Sequence, residues 1–211
     1  MDMESPKVSA FLWIDPPVHS FSSSHAPSLN LTIVSHHPEP ITIYADDLSA
    51  GVMLLSGAFI IFDLASGVEI QQSKRIHCRI PLPTRIRVPL REHLFHTLLP
   101  GIPLTLSTPF TRKRESMDGR PLSKSNPGFE GDGAIYTCGV DGLEPGLKYA
   151  LMLADSPRIR WDVVRWWEYG TKEEVLRAGL DGRKVHYGNG PHQAIVIDTS
   201  NFKGVLFECV E

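Results

Sequence analysis

The chain has 211 residues, 42% hydrophobic and 21% charged, with a formal net charge of −3; this suits one large domain burying about 70% of its unfolded surface. That balance excludes wholesale disorder, and it offers no basic footprint for nucleic acid or for a membrane surface. Cys78, Cys138 and Cys209 are three isolated thiols without C-x-x-C spacing, so neither a disulfide framework nor a thiolate metal site is expected.

Residues 1–27 combine Pro16-Pro17 with a serine run from Ser20 to Ser24, and they read as a poorly ordered lead-in with at most one short strand near Val8 to Ile14. The apolar run ahead of Pro16 is too short for a secretory segment, and no stretch reaches the roughly 20 apolar residues of a membrane span. Cytoplasmic residence is therefore the expectation. From Ser28 the texture changes: Leu29, Leu31 and Ile33 alternate with Ser28, Asn30 and Thr32, the period of a half-buried strand. Ile41 to Tyr44 supplies the next strand after Pro38 and Pro40.

Short strands then recur at sandwich spacing. Ala58 to Leu64 ends at Ser66-Gly67, and Val68 to Ile70 restarts after it. Ile76 to Ile80 and Arg85 to Val88 follow, and Leu94 to Leu98 and Ile102 to Leu106 flank a Pro100-Gly101 turn. About residues 111–132 the composition breaks: Arg112, Lys113, Arg114, Arg120 and Lys124 mix with Gly, Ser and Pro. A solvated insertion loop is the expectation there, ahead of a basic ligand patch.

Ile135 to Cys138 reads as a strand, and Asp141-Gly142 and Pro145-Gly146 mark turns just before Tyr149. A Leu143-x-Pro145-Gly146-x-x-Tyr149 segment leading into the alternation of Tyr149, Leu151 and Leu153 resembles the tyrosine corner of fibronectin-type sandwiches. That resemblance implies a buried ring whose hydroxyl bonds to backbone just upstream. Thr171-Lys172-Glu173-Glu174 is a capping box ahead of Val175 and Leu176, with Gly179 as the stop, and it marks the one helix expected. After Gly188-Asn189-Gly190, Ala194 to Ile197 and Val205 to Phe207 close the fold. The predicted fold is mainly β: an immunoglobulin-like antiparallel sandwich from residue 28 to 211, with one short helix and a long insertion loop.

The order of pieces from Ser28 to Ala154 also resembles the β-sandwich module at the N-terminal side of fungal deuterolysin-type metalloendopeptidases. The features that match are the Leu29-x-Leu31-x-Ile33 strand, the Ile60 to Gly67 segment, the Phe95-x-x-Leu98-x-Pro100-Gly101 turn and the Tyr149 strand. Small fungal proteins that carry such a sandwich alone look similar. The H-E-x-x-H helix that serves zinc catalysis in those proteases appears nowhere in this sequence, so no peptidase residue transfers.

The histidines form no ligand set on spacing. His36 and His37 are adjacent on extended chain and point apart, and His93 and His96, with Glu92 beside them, fall on opposite faces of a strand. No G-x-S-x-G elbow or phosphate loop is present, and Gly131-Asp132-Gly133 and Gly188-Asn189-Gly190 read as turns. No cofactor and no metal is expected. The sharpest feature is the aromatic run Trp161, Trp166, Trp167 and Tyr169. In extended chain Trp161, Trp167 and Tyr169 share one face and Trp166 takes the other, so at least one face is core and the second is a candidate ligand or partner surface. Arg158, Arg160, Arg165 and Glu168 lie beside these rings as polar anchors.

Three functional readings follow. The first is a non-catalytic binding or accessory module for a protein or a small apolar ligand. The second is a cofactor-independent isomerase, cyclase or hydrolase of fungal secondary metabolism, using acid–base groups in a tryptophan-lined pocket. The third is a structural protein that homo-oligomerises through a sheet edge. A pocket holding His or Asp beside Trp166 or Trp167 would favour the enzyme.

Overall fold

Alternation of apolar and polar residues sets the strands, and the turns between them set the sheets. The structure, a computed structural model, describes residues 5–45, 48, 50–72, 85–87, 92–110, 140, 142–155, 160–177, 184–186 and 192–211. In chain order its first half holds β1 (Val8–Asp15), β2 (Val18–Ser20), β3 (Ser28–Ser35), β4 (Ile41–Tyr44), helix α1 (Ala50–Leu55), β5 (Phe59–Asp63), β6 (Glu69–Ile70) and β7 (Arg85–Arg87). A 3-10 turn (Glu92–Leu94) leads into β8 (Phe95–Leu98) and β9 (Leu104–Pro109). The second half holds β10 (Lys148–Leu153), β11 (Val163–Val164), β12 (Trp167–Tyr169), helix α2 (Lys172–Leu176), β13 (Lys184–His186), β14 (Ile195–Asp198) and β15 (Val205–Val210).

With 46% of the described residues in strands and 10% in helix, the protein is mainly β. One five-stranded sheet runs β11-β14-β1-β3-β9 and a second runs β2-β15-β10-β5-β6. Leu12, Leu31 and Ile33 of the first sheet share one buried cluster with Phe59, Ile61, Leu151 and Phe207 of the second. Those apolar side chains leave water together, which is the main force holding the layers. A three-stranded sheet, β12-β4-β8, carries the aromatic run, and β13 pairs with β7.

The tyrosine corner is present. Tyr149 is fully buried and stacks on Phe207 at 5.5 Å. Its hydroxyl accepts the Glu144 amide at 2.8 Å, so a polar tip is satisfied inside a dry core. Gly146, at φ 83°, turns its amide onto the Cys209 carbonyl at 2.7 Å. The capping box also forms: the Glu174 amide donates to Thr171 Oγ1 at 3.4 Å, and the Thr171 amide donates to Glu174 Oε2 at 2.8 Å.

Several expectations change. Residues 8–15 are no loose lead-in: β1 pairs with β3 along all eight of its residues and buries Val8, Ala10, Leu12 and Ile14. A boundary at residue 28 would cut through the first sheet. Two pairings, β1 with β14 and β2 with β15, are parallel, so the sandwich is not antiparallel throughout. A second helix, α1, buries Ala50, Met53 and Leu54. It stops in a Schellman motif: Ala58 donates to the Met53 carbonyl at 2.9 Å and Gly57, at φ 75°, to that of Leu54 at 3.1 Å. Gly51 lets α1 approach β9, because a Cβ there would stand 2.6 Å from Thr108 Cγ2. The insertion about residues 111–132, the strands expected at Ile76 to Ile80 and Ile135 to Cys138, and Arg158 lie outside the described residues.

Candidate functional site

The aromatic run divides its rings between two buried clusters. Trp161 sits in a turn ahead of β11, 3% exposed, with its ring 5.8 Å from that of Phe59. Trp167 is in the same cluster. Trp166 faces away into a smaller cluster with Tyr44, Phe95 and Leu176, meeting Phe95 edge-on at 5.1 Å. The chain therefore alternates across β12 as extended backbone requires, with both faces covered by protein. Arg165 between them is exposed, and Arg160 is held by Asp162 through two bonds of 2.7 and 2.8 Å. Trp161, Trp166 and Trp167 are core residues and offer no ring face to a partner.

What remains accessible lies at the far end of β12. The Trp167 indole donates to the Gln193 carbonyl at 2.7 Å, and its ring stacks on His192 at 4.4 Å. His192 Nε2 lies 3.0 Å from Glu168 Oε1. Tyr169 meets Trp167 edge-on at 5.0 Å and His192 at 5.5 Å, and its other side lies 5.2 Å from His37. A continuous layer of Trp167, His192, Tyr169 and His37 thus runs from the core to the surface.

At its outer end is a cleft of about 380 Å3, walled by Pro6, Pro38 and Tyr169 and lined by Lys7, His36 and His37. Three segments meet there because the sheets bring them together. The His36 amide donates to the Lys7 carbonyl at 2.9 Å, fixing the β3–β4 connection against the start of β1. The Gly170 amide donates to the Pro40 carbonyl at 2.8 Å, fixing that connection to the end of β12. His36 Nε2 lies 2.8 Å from Ser9 Oγ. The His37 Nδ1 accepts the Glu39 amide at 3.1 Å, which puts the ring proton on Nε2. Asp198, opposite Ser9 across the parallel pair, has its carboxyl held below the usual range by the Ser200 amide and hydroxyl, with His36 adding to the effect and burial opposing it.

Of the residues singled out from the sequence, the structure brings Tyr169 to the cleft and joins Glu168 to His192; it removes the three tryptophans to the core and leaves Arg165 on the surface. Lys7, His37 and His192 carry no sequence signal for this site, because the residues that meet are far apart in the chain. Glu92 lies 3.3 Å from Lys172 Nζ rather than in a histidine cluster. Among the described residues no group of three or more His, Cys, Asp or Glu is placed to hold a metal ion, and no helix is long and apolar enough to cross a membrane. The chain matches no protein-family model and no curated protein.

Proposed function

We propose that the chain is a non-catalytic binding module and that its ligand site is the cleft beside Tyr169. The observation that carries this reading is the division of the aromatic run. The tryptophans are spent on core packing, while Tyr169 remains half-buried where it lines a cavity with Lys7, His36 and His37. Rigid strands that present a site on their ends and connecting segments are the usual way a sandwich binds. The resemblance to a sandwich module of metalloendopeptidases supports a binding role in the same way. An amide-resolved NMR screen of small polar and apolar compounds tests it. Hits that shift Lys7, His37 and Tyr169 together support the reading, and hits confined to other surfaces contradict it.

A second reading, the cofactor-independent enzyme, is favoured by the His192–Glu168 pair. A carboxylate 3.0 Å from Nε2 orients an imidazole beside Trp167 and leaves Nδ1 as the nitrogen able to move a proton. Turnover of aryl esters that His192→Gln abolishes would favour this enzyme over the binding module.

A further inference from the structure

We infer that the cleft takes a small organic carboxylate, a single anionic head on a compact apolar body. The inference rests on the reading of the cleft as the ligand site and names its ligand class. The cavity of about 380 Å3 lies near the lower end of small-molecule sites, which run from about 300 to 1,000 Å3. Two proline rings and a tyrosine ring give it flat apolar walls, against which a planar hydrocarbon body loses little by leaving water.

The polar side of the cleft is made of donors. The Lys7 ammonium has donors and no acceptor. The Glu39 amide, by occupying His37 Nδ1 at 3.1 Å, leaves that ring a donating Nε2–H. Ser9 engages His36 Nε2 at 2.8 Å. A ligand that only accepts, with two oxygens to share among these donors, completes the set. Hydrogen bonds to an ionised acceptor are the strong kind. The charged and titratable groups around the cleft are Lys7 ahead of β1, His36, His37 and Glu39 in the β3–β4 connection, Tyr169 on β12 and Asp198 on β14. The two carboxylates offset part of the positive charge. A monoanion matches what is left, and a phosphate dianion exceeds it.

The test uses the full chain and four probes: benzoate and 1-naphthoate, and their neutral amides, benzamide and 1-naphthamide. Each is titrated into isotope-labelled protein while the amides of Lys7, His36, His37 and Tyr169 are followed. The expected result is that the acids move these signals and bind about tenfold or more tightly than the amides. Lys7→Gln is expected to remove most of that preference, and Lys7→Arg to keep it. Acids and amides that bind the cleft equally would overturn the carboxylate inference and leave the binding reading standing. No probe reaching the cleft would overturn both. Lys7 is exposed, so its variants fold, and an unchanged acid preference in Lys7→Gln would also overturn the inference.

Discussion

At the corner before β10, the Tyr149 ring is fully buried, stacked on Phe207, with its hydroxyl accepting the Glu144 amide at 2.8 Å. At the end of β12, Tyr169 is half-buried between His37 and His192, and its hydroxyl makes no hydrogen bond among the described residues. The two tyrosines share a fold and a strand setting, and they differ in whether the polar tip is paired inside the protein. A paired tip allows a ring to go fully into the core, where it adds stability. An unpaired tip keeps the ring at the boundary, where a ligand can complete it. The same division separates the buried tryptophans from the cleft.

The largest effect is expected where a ring is wholly structural. Trp167→Ala removes an indole from the main core and strands the Gln193 carbonyl that it serves at 2.7 Å, a loss of about 3–5 kcal/mol. Urea melts measure it, and a loss like that of a surface residue would mean the ring is not core. Tyr149→Phe comes next. It keeps the packing and leaves the Glu144 amide without its acceptor, at a cost of about 1–3 kcal/mol. Tyr169→Phe removes a hydroxyl with no protein partner and should stay within about 0.5 kcal/mol. Equal urea midpoints for the two Phe variants would erase the contrast between the corners.

A smaller effect is expected with pH. Burial, aided by the nearby positive charge of Lys172 and by His93, holds the His96 imidazole below its ordinary 6.5. The neutral ring is therefore favoured in the folded state. Its contribution to stability is present above 6.5 and is lost as pH falls through the lower, folded value. Asp63, Glu174 and Asp198 are held below their ordinary values by bonds from the Ser66 hydroxyl, the Thr171 amide and the Ser200 amide. Their contributions fade only in more acid solution, which separates the windows. Melting temperature should thus drop from about pH 7 to about pH 5 more in the native chain than in His96→Gln; parallel curves would contradict it.

What could be read from the chain was what depends on near neighbours in sequence. The Tyr149 corner spans seven residues and the Thr171 capping box four, and both form as their local chemistry dictates. Helix α1 escaped because Ala50 to Leu55 has no polar face to set a period, although Ser56-Gly57 is a stop signal that could have revealed it. Strand β1 escaped for another reason. Pro16-Pro17 and the serines suggest a loose terminus, and only β3 and β14, the latter almost the length of the chain away, make residues 8–15 a central strand. The cleft was invisible for the same cause: Lys7, His37 and Tyr169 meet only after the sheets have formed. Trp161 and Trp167 share a core because a turn and β12 bring them together, so extended-chain faces alone could not say which rings would be covered.

The central claim is that the tryptophans of the aromatic run belong to the core and leave binding to the cleft. The chain has four tryptophans; Trp13, on the outer face of β1, is 38% exposed, and Trp161, Trp166 and Trp167 are 3%, 7% and 2% exposed. Iodide quenching of tryptophan emission in the native chain and in Trp13→Phe tests this directly. The account predicts that Trp13→Phe loses most of the quenchable emission while the remaining fluorescence resists iodide. A Trp13→Phe protein quenched as strongly as the native chain would place the other rings at the surface and contradict it.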